Sequence, residues 1–321
     1  MSRIVTMDPA ALRRQLRLNV WQSRLLLLGL SGLAALCGLV LAGVPGLVMA
    51  GAAALAVMLL DPAPGGAMFR HVFGGVPLLP QAAPGLHALS GLLAGRAGLG
   101  RPPELYLLPG RMLQAMASGS GERSSVALTA GLLRSLPPRE IAAVLAHEIA
   151  HIRHGDTGVM RVAAAAAALT RAMSLTGLLL LAFWYPILLG TEVSVSPGAI
   201  LLLMAAPTLG DLLALSLSRR REFLADAGAV ELTGDPAALA AALDRLGRLQ
   251  GDDWEGLARR GGPGWLRWFR THPTLRERMR RLAEMATIRD PLPAAVLALP
   301  TGWAVPERGS LGQRLARHWW F

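Results

Sequence analysis

The stretch from Leu25 to Leu60 contains 36 residues and not one charged side chain. A single helix of that length would measure about 54 Å, whereas the hydrocarbon core of a bilayer is about 30 Å thick. The tripeptide Val44-Pro45-Gly46 is a turn signal near the middle of the stretch. We therefore predict a hairpin of two membrane spans here, at about residues 25–43 and 47–60.

A second apolar block runs from residue 159 to residue 217 and is interrupted by polar residues between 190 and 198. It predicts another hairpin, with spans at about residues 172–189 and 198–217. Composition agrees, because 53% of the 321 residues are hydrophobic and the mean hydropathy of +0.42 is high for a soluble enzyme. The sequence therefore predicts a mainly α integral membrane protein with four transmembrane helices in two hairpins.

Arginine is distributed unevenly around these spans. All 32 basic residues are Arg, and most lie in residues 1–24, 61–158 and 218–321, whereas the turns inside the two hairpins contain none. Because cytoplasmic segments carry the excess of basic residues, both termini are predicted on the cytoplasmic side of a bacterial-type inner (plasma) membrane. The net charge of +11 lies beside apolar segments and forms no dense block. This pattern favours anionic lipid, not nucleic acid, as a partner.

Between the two hairpins, the sequence His-Glu-Ile-Ala-His at residues 147–151 forms a metal-ligand pattern. Pro137-Pro138 marks a helix start and Gly155-Asp156 a helix stop, so the five residues are predicted to lie on one helix. Positions i and i+4 of a helix share a face, so both histidines can bind one ion while Glu148 reaches the water bound to it. The pattern indicates zinc-dependent hydrolysis.

The third metal ligand has to come from elsewhere in the chain, because a catalytic zinc ion takes three protein ligands and keeps one position open for water. His154 lies about 10.5 Å from His147 along the helix axis, which is too far for both to bind one ion. Glu222, where the fourth predicted span ends, is a better candidate, and Asp226 one turn later could orient a ligand histidine. On spacing alone, Glu222 could equally form a salt bridge with its arginine neighbours.

The segment before the metal-ligand pattern predicts a small sheet. Glu104 to Leu108 is expected to form a short strand, and Leu113–Ser118 and Ser124–Ala130 a hairpin closed by residues 119–121. In the second hairpin strand, small and polar residues alternate with Val126 and Leu128. This alternation predicts one solvent-exposed and one buried face. That strand, just before the metal-binding helix, is either a peptide-binding edge or an ordinary sheet edge.

Three stretches together resemble one known family. They are residues 147–151, the sequence Arg-Glu-Phe-Leu-Ala-Asp at residues 221–226, and Thr-His-Pro at residues 271–273. Over most of residues 1–290 the chain resembles the HtpX-type membrane zinc metallopeptidases, which are related to the eukaryotic CAAX prenyl proteases. The resemblance implies a zincin-like α+β peptidase domain with a small β-sheet and one zinc ion per chain. It also implies protein or peptide substrates, in particular damaged or misfolded membrane proteins, and a part in protein quality control and the stress response.

The resemblance also assigns roles to individual residues. It implies three zinc ligands, one general base that later acts as an acid, one carboxylate that supports a ligand, and two residues near the reacting carbonyl. In that order, these are His147, His151 and Glu222; Glu148; Asp226; and His272 and Arg278. From the residues themselves, His272 before Pro273 could hydrogen-bond a developing oxyanion or simply cap a helix. Arg278 could also be an ordinary solvated helix charge.

The predicted spans divide the peptidase domain into two parts that the second hairpin joins at the cytoplasmic membrane surface. In chain order, the segments are a basic amphipathic N-terminal segment (1–24), a transmembrane hairpin (25–60), the first peptidase part (61–158), a transmembrane hairpin (159–217), the second peptidase part (218–290) and a C-terminal tail (291–321). The Trp-rich residues 252–270 are predicted either as a membrane-facing lip over the cleft or as core aromatics.

Two alternatives to this interpretation stay open from sequence. One is an intramembrane zinc protease that uses Asp211 as the third ligand. Charged residues bracket the metal-ligand pattern and argue against a lipid-embedded helix, and Asp211 lies about 16 Å along one helix from Glu222. The other is a membrane scaffold or transporter without enzymatic activity, in which Arg161, Arg171 and Asp211 line a polar path.

Overall fold

The computed structural model describes residues 9–59, 65–119, 121–188, 196–250 and 275–284, together with residues 292, 293 and 297. In chain order its helices are α1 (Pro9–Leu59), α2 (Gly65–His71), α3 (Pro84–Ala97), α4 (Ala130–Ser135), α5 (Pro138–Arg153), α6 (Asp156–Leu188), α7 (Pro197–Thr233), α8 (Pro236–Gln250) and α9 (Leu275–Glu284). The first eight residues, His272, the Trp-rich segment 252–270 and nearly all of the C-terminal tail lie outside the described residues.

Within the described residues, three helices are long and apolar enough to cross a membrane. Their candidate spans are Val20–Ala53 in α1, Asp156–Phe183 in α6 and Pro197–Thr233 in α7. The three helices pack together through a cluster of small and branched apolar residues. This cluster contains Leu30, Ala163, Ala166, Ala167 and Leu217. The described chain thus shows three candidate spans where the sequence predicts four, and the four-span arrangement is not confirmed.

Helix α1 contains a break at the position where the sequence predicts a turn. Ala42 and Gly43 have non-helical backbone angles, and Gly43 has a φ of 61°, in the left-handed region that glycine adopts without a Cβ clash. A Cβ on Gly38 would lie 2.5 Å from the carbonyl oxygen of Gly46. Eight residues of straight helix would separate these glycines by about 12 Å. The chain therefore changes direction sharply between two helical segments that are assigned to one helix.

The strands form one mixed sheet of four strands. They are β1 (Val76–Pro77), β2 (Glu104–Leu108), β3 (Ala115–Ser118) and β4 (Ser125–Thr129), in the spatial order β1-β2-β4-β3. β2 and β4 are parallel, and the other two pairs are antiparallel. The predicted strand at 104–108 and the predicted hairpin are both present, with a short 3₁₀ turn at Gly121–Arg123 before β4.

The burial of β4 differs from the prediction, because all five of its residues are buried. One face packs on the main core through Val126 and Leu128. The other face is covered by α2, which brings Phe69 against Tyr106 and Ala127. The prediction of a solvent-exposed face was therefore wrong, because α2, which is distant in sequence, covers that face. Both predicted alternatives, a peptide-binding edge and an ordinary sheet edge, were also wrong for β4, because β4 is central and β3 is the edge strand of the hairpin.

Helix α5 lies in the middle of the main buried core. The main buried cluster draws its apolar residues from α3, β2, β4, α5, α7 and α8. Arg245 on α8 donates two hydrogen bonds to Glu140 at the start of α5, at 2.9 and 3.1 Å. On its other side α5 approaches α7 so closely that a Cβ on Gly228 would lie 2.7 Å from the Cβ of Ala150. Gly228 therefore permits the two helices to meet at this spacing.

Candidate metal centre

Two helices supply the metal-ligand side chains. His147 and His151 lie one turn apart on α5, and their Nε2 atoms are 3.1 Å from each other. Glu222 on α7 faces both, with carboxylate oxygens 3.6 Å from His147 Nε2 and 3.9 Å from His151 Nε2. One ligand atom from each of the three residues lies within 4.8 Å of the others. The structure thus brings together the three residues that the resemblance implies as ligands.

This group fits a zinc ion. Bonds of about 2.0–2.1 Å in tetrahedral geometry place neighbouring ligand atoms about 3.3 Å apart. The two Nε2 atoms are 3.1 Å apart, close to that value, and each has a different Glu222 oxygen at 3.6 or 3.9 Å. Two imidazole nitrogens and one carboxylate oxygen are also the ligands of many catalytic zinc sites, which leave a fourth position for water. The donor set and its spacing therefore suit a catalytic zinc ion.

Glu148 lines the same cavity as the three ligands. The cavity has a volume of about 640 Å³ and is bordered by residues 114–117 at β3 and by Arg278 on α9. Its walls are otherwise largely apolar. Apolar side chains in them include Leu113, Met116, Leu132, Val144, Leu239, Leu243 and Leu246. Glu148 is 9% exposed, so its carboxylate is shielded from bulk water but open to a ligand in the cavity.

Asp226 and Arg278 support the ligands on the α7 side. His147 Nδ1 lies 3.1 Å from Asp226 Oδ1. Arg278 donates two hydrogen bonds to the Asp226 carboxylate, at 2.8 and 2.6 Å, and lies 3.3 Å from Glu222. Arg278 is therefore not a solvated helix charge, because it joins α9 to two acidic residues of α7. Its neighbours are these carboxylates, whereas the resemblance implies a position near the substrate carbonyl.

The carboxylates around His147 favour a positive charge there. Burial by itself lowers the pKa of His147, but the nearby carboxylates of Asp226 and Glu222 outweigh it and raise the pKa to about 10. Burial lowers the pKa of His151, and the nearby charge of His147 lowers it further, to about 4. A divalent cation would supply the positive charge that these carboxylates stabilise. A neutral His151 is the form that binds a metal ion.

Asp156 also belongs to the metal site, although the sequence did not indicate this. Its Oδ2 atom lies 2.5 Å from Nδ1 of His151. The sequence interpretation treated Asp156 as a helix stop, because its five-residue distance from His151 is not a helical contact spacing. No signal in the sequence separates this turn from a simple helix stop, whereas in the structure Gly155 has a φ of +66° and turns the chain back towards α5.

Two of the remaining candidates, Asp211 and His154, are not part of the three-ligand group. Asp211 forms an ion pair with Arg171 on α6. This ion pair explains how an acidic residue is accommodated in an apolar helix without binding a metal ion. His154 is the C-cap of α5, and its carbonyl oxygen accepts a hydrogen bond from Arg221. His272 lies outside the described residues, so its predicted role near the substrate carbonyl stays a prediction.

Comparison with known proteins agrees with this geometry. The model of peptidase family M48 matches residues 80–286, which is more than half of the chain and includes all three ligands. The chain is a member of peptidase family M48. This M48 peptidase is similar to proteins named protease HtpX homolog. That of Persephonella marina is 33% identical over 281 residues, 81% of this chain and 96% of the relative. That of Acaryochloris marina is 37% identical over 226 residues, 64% and 73% of the two chains.

A solved structure, that of Ste24p from S. mikatae, is also similar to this M48 peptidase. The match covers 84% of this chain and 66% of the other, at 18% sequence identity and a TM-score of 0.42. The predicted resemblance to HtpX-type proteases is confirmed by the family match and by the HtpX relatives. The family, the long apolar helices and the His/Glu group together identify a membrane metallopeptidase.

Proposed function

We propose that this protein is a membrane-bound zinc-dependent endopeptidase that cleaves damaged or misfolded membrane proteins at the cytoplasmic face of a bacterial inner membrane. The observation that carries the proposal is the convergence of His147, His151 and Glu222 beside Glu148 in one cavity. The likeness to HtpX proteases supports the substrate class. The Arg-rich segments on the peptidase side of the spans support the orientation and a preference for anionic lipid.

A zinc ion held by the three ligands would lower the pKa of a water molecule to about 7 and polarise the scissile carbonyl. Glu148 accepts the proton of the attacking water and then donates it to the departing amine. Asp226 holds His147 in place, and Arg278 in turn holds Asp226. The other walls of the cavity are largely apolar, and a low local dielectric constant strengthens these charge interactions.

Among the described strands, the outer edge of β3 pairs with no other strand and offers a place for the substrate backbone. Gln114 pairs with Thr129 through a backbone hydrogen bond of 3.0 Å, and the register continues with Met116 opposite Ala127. Hydrogen-bonded pairs alternate in an antiparallel ladder, so the N–H and C=O groups of Ala115 and Ala117 face away from β4. These residues border the same cavity as Glu148. An extended peptide paired with this edge would run past the metal ligands, and the substrate chain would continue on both sides of the bond at the metal centre. Cleavage of such an internal bond suits an endopeptidase.

Metal removal tests the proposed reaction. The protein purified in detergent should contain about one zinc ion per chain, measured by elemental analysis, and should cleave casein. A chelator should abolish cleavage, and added zinc should restore it while magnesium should not. Full activity of protein that has been shown to be free of metal would refute the proposal.

Replacement of Ala117 by Pro tests the β3 edge. Proline removes the outward N–H group and is tolerated on edge strands. We expect kcat/KM for casein-derived peptides to fall about fivefold to tenfold, the effect of losing one hydrogen bond of about 1 kcal/mol, mainly through a higher KM. Zinc content should not change. Ala117→Val keeps the N–H group and serves as the control, so an equal loss in both variants would argue against edge pairing.

A further inference from the structure

Each ligand histidine of the metal centre has an aspartate at its second ring nitrogen. Asp226 lies beside Nδ1 of His147 and Asp156 beside Nδ1 of His151. Both aspartates are buried, with 2% and 4% of their surface exposed. The role of Asp226 follows from its place in the motif at residues 221–226. Asp156 belongs to no motif and reaches the site by a different path.

The turn between α5 and α6 brings Asp156 to the site. α5 ends at Arg153, His154 caps it, and Gly155 adopts the left-handed conformation with a φ of +66°. α6 begins at the next residue, Asp156. The chain therefore reverses within two residues after α5, and the first side chain of the membrane helix returns to the second histidine. A longer or differently twisted connection would place this carboxylate away from the imidazole.

Arg221 on α7 holds Asp156 from the other side. Its guanidinium forms an ion pair with Asp156 and donates a hydrogen bond of 2.7 Å to the carbonyl oxygen of His154. Arg221 is 6% exposed and directly precedes Glu222. One turn of α7 thus provides a metal ligand and also fixes the carboxylate that contacts another ligand. The two Asp–Arg pairs, Asp156–Arg221 and Asp226–Arg278, lie behind the two histidines.

The geometry points to Asp156 as a positioning residue of the metal site, with Arg221 as its anchor. The Asp156 carboxylate accepts the Nδ1–H of His151, which fixes the imidazole tautomer and aims the Nε2 lone pair at the ion. Removing such a partner of a ligand histidine costs about 10- to 100-fold in metal affinity. This inference rests on the proposed function only in taking zinc as the ion, because its readout is metal binding and not cleavage.

A purely structural role for Asp156 is the rival explanation. A carboxylate in the first turn of α6 also interacts favourably with the helix dipole, and the ion pair with Arg221 joins α6 to α7. The Arg153–Glu231 pair, at 3.0 Å, makes a comparable link between α5 and α7 without contacting a ligand. Glu231→Gln is therefore a matched control for Asp156→Asn, because both substitutions neutralise an acid that pairs with an arginine across these helices.

The experiment compares the full-length wild type, Asp156→Asn and Glu231→Gln in the same detergent. Zinc affinity is measured by competition with a chromogenic chelator, and the ligand geometry by the visible absorption of cobalt(II) bound in place of zinc. We expect Asp156→Asn to bind zinc about 10- to 100-fold more weakly and to change the cobalt spectrum. Glu231→Gln should match the wild type in both measurements.

Each outcome decides the inference. Folded Asp156→Asn with wild-type zinc affinity and cobalt spectrum would overturn it, as would an equal loss in Glu231→Gln. If Asp156→Asn does not fold, Arg221→Lys replaces it. That variant keeps the charge but cannot hold Asp156 and the His154 carbonyl together, so unchanged zinc affinity would also refute the role. Failure of the proposed function looks different, because the wild type itself would then bind no zinc.

Discussion

Glu148→Gln should retain zinc and lose peptide cleavage. Glutamine has almost the same size as glutamate but cannot accept the proton of the attacking water, and a general base typically contributes about 10²- to 10⁴-fold to a rate. We therefore expect kcat for casein cleavage to fall by that factor. Glu148 is not one of the three ligands, so the zinc content should equal that of the wild type.

The measurement combines elemental analysis with casein cleavage on the same purified samples. Glu122→Gln, at an exposed turn outside the cavity, is the matched control, and we expect it to behave as the wild type. Cleavage by Glu148→Gln at the wild-type rate would remove the general base from the proposed mechanism. Loss of zinc in this variant would instead place Glu148 among the ligands.

Gly228→Ala should disrupt the metal centre although Gly228 does not touch it. A Cβ at residue 228 would lie 2.7 Å from the Cβ of Ala150, so α5 and α7 would have to move apart. His147 and His151 are on one of these helices and Glu222 is on the other. A displacement of about 1 Å at an active site can cost about 10²-fold in rate. We expect a loss of that size in kcat/KM, together with weaker zinc binding.

Removing the opposing methyl group should restore the site. In the double variant with Ala150→Gly the closest contact of the new Cβ is gone, and the next one, 3.2 Å to Cε1 of His154, requires only a small shift of that side chain. Much of the zinc affinity and activity should return, apart from about 1 kcal/mol of stability lost to a helical glycine. Gly210→Ala on the same helix is the control, since its Cβ would lie an ordinary 3.7 Å from Leu30. Absence of rescue would show that the α5–α7 spacing is not what Gly228 sets.

The parts of the site that the sequence predicted are those that depend on helix geometry. Two histidines four residues apart share a face on any helix, so the placement of His147 and His151 needed no knowledge of the fold. Glu222 was harder, because spacing alone does not distinguish a metal ligand from a salt-bridge partner. The structure gives it both kinds of neighbour, since the two histidines and Arg278 all lie within 4 Å of its carboxylate.

What the sequence missed depends on contacts between distant segments. The second face of β4 is buried because α2, more than fifty residues earlier, packs on it. The alternation of residues within a strand cannot predict such a contact. Asp156 reaches His151 through a left-handed glycine turn, which the pattern Gly-Asp does not distinguish from a simple helix stop. Both interpretations of β4 made it an edge strand, because a hairpin pattern does not show which of its two strands pairs with the rest of the sheet.

Helix α7 has a consequence for how the surrounding bilayer acts on this protein. It is one helix from Pro197 to Thr233 with Pro207 inside it, so the apolar segment and the turn that carries Glu222 belong to one element. Glu222 lies about 37 Å along the helix from Pro197, so an unopposed tilt of about 3° would move it by about 2 Å, the length of one metal–ligand bond. Helices tilt to match bilayer thickness, but the last turns of α7 pack in the same core cluster as α5. A change in bilayer thickness would therefore load the contact between α5 and α7, where Gly228 faces Ala150.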